Sequence, residues 1–424
     1  MSGIVIIGAG HAGVQLAASL REAGFVSSIR LLSGDPDFPY HKPPLSKSFM
    51  ATKEATLQSL RGEAFFARSG TELSLGLEVA RIDRAAKAVV CLDGEVIAYD
   101  KLVIATGTRA RKIMVPGADL QQVYSLRTAS DARAMRDALP AMKNVVVIGG
   151  GFIGLEAAAM LSARGVQVDV VEVAPRLLGR ATSEIVAQTV ADSLKNMGVR
   201  LHLNQSLEAI EAQGCAVCAV QLRGKALPAD HVLVGVGAFP IDELANEVGL
   251  ATDNGVVVDA FMRTDDPDIF AIGDCVSFPQ FHLKKLARLE SVQNATDQAR
   301  ALALTLTGTP TQYTALPWFW SDIGTLKLQI AGLSAKAEQL IETYDAGGAL
   351  KSVYHLKHGQ LIACETLNSA AEHMLSRRMI AEGFTPETDL MAGGDAKAMK
   401  LGSGLIKLDP EPDGCQFYHR QEVA

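Results

Sequence analysis

Two glycine triplets of the form Gly-x-Gly-x-x-Gly stand out as positions where the chain could hold phosphate. They are Gly8, Gly10 and Gly13, and Gly149, Gly151 and Gly154. In such a triplet the first glycine permits a tight turn, the second lets the backbone approach a pyrophosphate, and the third lets a helix pack closely on a strand. The unpaired N–H groups at the helix N-terminus then face the phosphates. A carboxylate follows the second triplet at Glu172, closing Val168-Asp-Val-Val-Glu, where it would accept hydrogen bonds from the hydroxyls of an adenine ribose. A carboxylate there repels a 2′-phosphate, so NAD is expected over NADP. Arg176, four residues on, either packs on the adenine face or accepts a phosphate. In the first copy the equivalent acid is missing: Ser33 falls at its place and the nearest carboxylate is Asp35. Either the loop brings Asp35 or backbone groups to the ribose, or that contact is weak.

These residues need strands and helices to aim them, and the flanking sequence supplies both. Gly3 to Gly24 reads as an apolar strand, a glycine turn and an Ala/Leu-rich helix, and Val145 to Glu172 repeats the pattern with a further strand. Each is a βαβ unit. Tyr99-Asp-Lys-Leu-Val-Ile-Ala-Thr-Gly-Thr-Arg109 is another strand, and its end at Ala105, Thr106 and Gly107 suits a chain passing near a ligand. Asp268 to Cys275 is a further short strand, ending in Gly-Asp. Cys215 and Cys218 have the spacing of a redox or zinc pair but fall on what reads as a strand, where positions three apart face opposite ways. The six cysteines (Cys91, Cys215, Cys218, Cys275, Cys364 and Cys415) are expected as free thiols.

At 424 residues the chain is long enough for two or three domains. Its 40 Lys plus Arg against 47 Asp plus Glu give a net charge of -7, which argues against a broad grip on nucleic acid. The apolar run Ile4 to Ile7 is cut short by Gly8, with no basic leader before it, so neither a signal segment nor a membrane span is expected and the cytoplasm is the expected location.

Taken with the first glycine motif, the Ala-Thr-Gly and Gly-Asp segments resemble the two-dinucleotide-binding flavoproteins of the glutathione reductase superfamily. The resemblance implies an α/β fold: two Rossmann-like domains, the first for FAD and the inserted second for NAD, followed by a C-terminal α+β domain. The implied bounds are 1–112 with 238–316 for FAD, 113–237 for NAD, and 317–424 for the C-terminal domain, expected as a small mixed sheet with a helix near Ala371 to Glu382. Asp274 would then bind FAD near its ribityl or pyrophosphate region.

Four further stretches narrow the resemblance: Pro39-Tyr-His-Lys-Pro-Pro-Leu-Ser-Lys47, Gly151-Phe-Ile-Gly-Leu-Glu156, Arg288-Leu-Glu-Ser-Val-Gln-Asn-Ala295 and Pro317-Trp-Phe-Trp-Ser-Asp322. Together they resemble the NADH-dependent ferredoxin reductases of oxygenase systems, the group that includes putidaredoxin reductase. On that likeness Lys42 and Pro43 belong to the FAD site, Lys47 and Glu156 lie beside the isoalloxazine, and Trp320 lies next to the nicotinamide, with Trp318 left to core packing. A helix over Glu290 to Leu304 would offer N–H groups near Val292 and Gln293 to the flavin, if its N-terminus points there. The expected partner is a [2Fe-2S] ferredoxin serving a cytochrome P450 or a Rieske-type, ring-hydroxylating oxygenase. Arg377 and Arg378 either meet that acidic partner or form a solvated helix face.

After Asp322 the chain departs from the pattern, reading Ile323-Gly-Thr-Leu in place of polar residues. Residues 36 to 60 contain no cysteine, which excludes the dithiol relay of disulfide reductases. The runners-up are an NADH oxidase, a rubredoxin reductase, and a redox-linked interaction protein resembling apoptosis-inducing factor.

Overall fold

A computed structural model describes residues 3–50, 52–394 and 399 and the strands Leu405–Lys407 and Tyr418–Arg420. Cys415 lies outside the described residues. The chain divides into two units, Met1–Leu178 with Leu194–Ala315, and Gly179–Ser193 with Leu316–Ala424.

The first unit contains two five-stranded parallel sheets of the same order. One runs Thr71–Leu75, Ile29–Ser33, Ile4–Ile7, Lys101–Ile104, Ile269–Ala271; the other runs Arg200–His202, Gln167–Val171, Asn144–Ile148, His231–Val234, Val123–Tyr124. The central strands are apolar throughout because a parallel sheet is covered on both faces; Ile4 to Ile7 and Val145 to Ile148 are all buried. Each glycine triplet leads from such a strand into a helix, His11–Glu22 in one copy and Phe152–Ser162 in the other. Each sheet also has an antiparallel three-stranded meander directly before the strand that stands fourth in the order above, Val79–Asp83 to Val96–Ala98 before Lys101–Ile104 and Leu207–Gln213 to Lys225–Pro228 before His231–Val234. The fifth strands differ in origin. Val123–Tyr124 precedes its own βαβ unit, whereas Ile269–Ala271 arrives long after its sheet began.

In the second unit the strands Trp318–Ile323, Leu326–Gly332, Gln360–Leu367, Leu350–Lys357 and Gln339–Tyr344 form one sheet, with helix Ala370–Ala381 beyond them. The expectation of a mixed sheet was wrong, since every pairing is antiparallel. The reason is local. Trp318–Ile323 with Leu326–Gly332, and Leu350–Lys357 with Gln360–Leu367, are joined by two residues each, a length that allows only a hairpin, and His358 and Gly359, both at positive φ, make the kind of turn that matches strand twist.

Among the described residues no helix is long and apolar enough to cross a membrane. The five described cysteines are free; Cys218 lies exposed on strand Ala216–Leu222, while Cys215 sits in the turn before it rather than on the strand.

Candidate functional site

The two glycine turns have the same geometry. Gly8 and Gly149 adopt φ of +111° and +108°, and a Cβ on them would sit 2.2 Å from the Ala105 carbonyl oxygen and 2.5 Å from that of Gly235. A Cβ on Gly13 would fall 2.0 Å from the Gly8 oxygen, and one on Gly154 2.5 Å from the Gly149 oxygen. Protein packing therefore demands glycine at the outer positions. The middle ones are different: a Cβ on Gly10 would meet nothing within 4 Å, and one on Gly151 only the Gly235 oxygen at 3.9 Å. Both middle glycines are helix N-caps without a side-chain hydrogen bond. An open space in front of an uncapped helix N-terminus of this length fits a pyrophosphate, and the fit holds in both copies.

The edges of the second cradle are held by Glu172. Its carboxylate accepts the N–H groups of Gly150 and Ala174, each at 2.7 Å. The Gly149 N–H reaches Val171 O and the Gly8 N–H reaches Leu32 O, which makes Ser33 the structural counterpart of Glu172. Asp35 carries its own load: Tyr40 donates its hydroxyl to one oxygen at 2.8 Å and the Asp37 N–H binds the other at 3.0 Å. The Ser33 hydroxyl donates to the Asp35 carbonyl at 3.0 Å. Asp35 thus serves its own loop. Arg176 is half-buried in the loop after Glu172.

Around the first cradle stands a charged cluster. Ala105 pairs back to Ile7 O, Thr106 donates its hydroxyl to Ile241 O at 2.6 Å, and Gly107, at φ +72°, lies against Arg127. Arg127 lies 3.5 Å from the Asp274 carboxylate and donates to Thr108 O at 2.9 Å, while Lys42 Nζ reaches Arg127 O at 3.5 Å. His11 and His41 meet ring to ring with Nε2 and Nδ1 3.3 Å apart. Burial pushes the His11 imidazole down to about 3, helped by His41, Lys42 and Arg127, and burial with Arg127 lowers the Lys42 ammonium to about 8. Two half-buried cations, Lys42 and Arg127, beside a neutral imidazole at His11 and in front of an uncapped helix N-terminus fit the pyrophosphate of FAD.

Burial raises the Asp274 carboxyl to about 6 against the pull of Arg127. A raised carboxyl contributes stability that is present below its unfolded value near 3.8 and is lost as pH rises through 6. Asp274→Asn should accordingly melt above the wild-type apoprotein at about pH 8, with the advantage gone near pH 4. A difference in melting temperature that does not vary with pH would count against this reading.

Lys47 and Glu156 are brought together. Lys47 follows the short turn Pro43–Ser46, Glu156 is buried on helix Phe152–Ser162, and their Nζ and Oε1 lie 3.0 Å apart. Ser46 donates its hydroxyl to the other carboxylate oxygen at 2.6 Å. One ion pair thus joins the loop of the first cradle to the helix of the second.

The late helix runs Val292–Leu306, two residues later than expected, because Ser291 caps it by accepting the Asn294 N–H at 3.0 Å. Its buried Gln298 accepts the Gly273 N–H at 2.7 Å, which fixes the turn before Asp274. In the second unit Trp320 is half-buried, and so is Trp318, which sequence had assigned to the core. Residues two apart on a strand share a face, and the two indoles lie 5.5 Å apart, with Arg377 4.2 Å over the Trp318 ring. Arg377 is therefore not simply a solvated charge.

Sequence reading missed Arg127, Ser46 and the His11–His41 pair. A signal existed for the first: Thr128 and Asp131 form a capping box, which places Arg127 at the mouth of helix Ala129–Ala138.

The pyridine nucleotide-disulphide oxidoreductase family model matches residues 2–299, and a reductase C-terminal model matches residues 318–401. Rhodocoxin reductase of Rhodococcus erythropolis is 41% identical over 91% of this chain and 91% of its own. A rubredoxin-NAD(+) reductase of Pseudomonas putida is 39% identical over 86% of this chain and 95% of its own. Among solved structures, the ferredoxin reductase for the CYP199A2 system from Rhodopseudomonas palustris superposes with a TM-score of 0.92 at 40% identity, covering 95% of this chain and all of that one (100%).

Proposed function

Since the chain belongs to the pyridine nucleotide-disulphide oxidoreductase family, we propose that it is an NADH:ferredoxin reductase. It takes hydride from NADH onto FAD and passes electrons one at a time to a [2Fe-2S] ferredoxin that serves a cytochrome P450 or a ring-hydroxylating oxygenase. The observation that carries this reading is the Lys47–Glu156 pair, which ties the two phosphate cradles together where two dinucleotides would meet. When bound, FAD supplies the conversion of a two-electron donor into single electrons. With no cysteine in residues 36 to 60, no dithiol intervenes. We place the protein in the cytoplasm, beside the NADH pool.

The chain's own residues bind, orient and exclude water. Gly10 and Gly151, each backed by a helix N-terminus, leave room for the phosphates, and Arg127, Lys42 and Asp274 line the first cradle. Glu156, buried and hydrogen-bonded by Ser46, holds the Lys47 ammonium in place. An ammonium has three donors, so Lys47 can favour negative charge developing on the reacting ring while still paired with Glu156. Trp320 is assigned to the nicotinamide side by its place in Pro-Trp-Phe-Trp-Ser-Asp.

The deciding experiment mixes NADH-reduced holoenzyme with a [2Fe-2S] ferredoxin, a rubredoxin and oxygen in parallel. Ferredoxin should be reduced fastest. Rubredoxin ahead of every ferredoxin would favour the second reading, a rubredoxin reductase, which the 39% identical relative supports. Oxygen ahead of both would indicate an oxidase.

Glu172→Ala should raise KM for NADH about tenfold and leave kcat within about twofold, because ribose contacts are equal in ground and transition states. NADPH kinetics should change far less. Equal losses with both nucleotides would contradict the assignment of Glu172 to the 2′-hydroxyl.

A further inference from the structure

The helix Val292–Leu306 carries two carboxamides on its buried face, Asn294 and Gln298, both fully enclosed and one turn apart among Ala295, Ala299 and Leu302. A buried amide is unfavourable unless it is hydrogen-bonded, so apolar side chains would fill these places at lower cost. Here the bonds run in one sense only. Asn294 donates its Nδ2 to Leu289 O at 3.1 Å, and its Oδ1 accepts the Tyr313 hydroxyl at 3.1 Å and Gln298 Nε2 at 3.3 Å. That turns Gln298 Oε1 toward Gly273, whose N–H it accepts at 2.7 Å. A flipped Gln298 amide would set donor against donor at Gly273 and acceptor against acceptor at Asn294.

Gly273 is also a contact point with the helix of the first cradle. Its φ is +86°, and a Cβ on it would lie 3.0 Å from the Ala12 Cβ, in the first turn of His11–Glu22, and 3.9 Å from the Ala295 Cβ. The turn Gly273–Cys275 is thus wedged between two helices. Asp274 comes next, its carbonyl accepting Arg288 Nη1 at 3.2 Å and its carboxylate 3.5 Å from Arg127. A line of bonds therefore runs from Leu289 and Tyr313 through Asn294 and Gln298 to the residue beside Asp274, with every member inside the first unit.

We infer that Asn294 and Gln298 are positioning residues for FAD: Asn294 fixes the sense of the Gln298 amide, and Gln298 holds Gly273 against the first cradle so that Asp274 faces the flavin nucleotide. This rests on the reading that the first cradle takes FAD and that Asp274 binds it. Without the Gln298 oxygen the Gly273 N–H is left facing the core, and a buried N–H without a partner drives the turn to another position. Asp274 moves with it. FAD binding suffers, while the second cradle is untouched.

The test removes FAD from the full-length chain and titrates it back, following flavin fluorescence, in wild type and in a cycle of variants. Gln298→Leu keeps the volume and loses the acceptor; it should raise Kd for FAD about tenfold. Asn294→Ala, which frees the Gln298 amide to turn, should raise it by a smaller factor, about threefold. The two together should be hardly worse than Gln298→Leu alone, since Asn294 acts through Gln298. The decisive comparison is made in an Asp274→Ala background. There Gln298→Leu should change Kd by less than about twofold, because no carboxylate is left to misplace. An equal loss with and without Asp274 would show a merely structural role and overturn the inference, as would a lowered melting temperature with unchanged Kd. Should Gln298→Leu not fold, Asn294→Ala carries the same comparison. A wild-type chain that does not take FAD back would instead sink the reading of the first cradle, and the inference with it.

Discussion

Gly10→Ala should give a folded, colourless protein, and Gly151→Ala a folded yellow one that NADH barely reduces. Both substitutions add a methyl group where the protein has room, with no contact inside 4 Å at Gly10 and only one, at 3.9 Å, at Gly151. The space each would fill is the space assigned to a pyrophosphate. Forcing a methyl group into a well-packed contact costs about 1–3 kcal/mol, which is roughly 5- to 150-fold in affinity. The two variants therefore dissect the cradles: FAD retention after desalting should fail in the first alone, and KM for NADH should rise in the second alone. Gly13→Ala is the contrast, because its Cβ would lie 2.0 Å from the Gly8 oxygen and the damage should appear in the thermal melt itself. If Gly10→Ala kept its flavin through desalting, the phosphate assignment would be wrong.

The second large effect is expected at the ion pair that joins the cradles. Glu156 is buried and Lys47 is 3.0 Å away. Removing one partner of a buried pair costs about 3–5 kcal/mol, and the lower end applies here because the Lys47 side chain is 23% exposed. Misplacing reacting groups by about 1 Å can cost roughly a hundredfold in rate. Lys47→Ala and Glu156→Gln should each slow flavin reduction by NADH by about that factor in single-turnover mixing. As the two act as one unit, the double variant should be hardly slower than the worse single one. Losses that multiply would show that the residues act separately, and the proposal of a shared role would fall.

Much of the fold was legible because strands bounded by glycine leave a strong local mark. Ile4–Ile7 and Asn144–Ile148 are apolar runs stopped by a glycine that must take positive φ, so strand, turn and helix could be read within a few residues. The alignment of Ser33 with Glu172 was readable for the same reason, and the matching hydrogen bonds from Gly8 and Gly149 agree with it. What could not be read depended on partners distant in sequence. Ser46 finds Glu156 at a separation of 110 residues, and Arg127 finds Asp274 at 147; no local pattern announces either. Two errors were avoidable. Trp318 and Trp320 had to share a face by strand period, and His358-Gly359 was a hairpin signal that already pointed to an antiparallel sheet. Asp35 is hydrogen-bonded by Tyr40 and the Asp37 N–H, two partners within five residues of it.

The first parallel sheet closes only when Ile269–Ala271 pairs with Lys101–Ile104, and Asp274 comes with that closing strand. A ribosome delivers the chain from its N-terminus, so the glycine turn at Gly8 emerges early yet must wait for most of the polypeptide before its outer wall exists. The inserted second sheet has all its strands between Val123 and Val234 and can be finished sooner. Flavin capture should therefore be a late event in biosynthesis, and nascent chains stalled before residue 269 should emerge without colour even when flavin is plentiful.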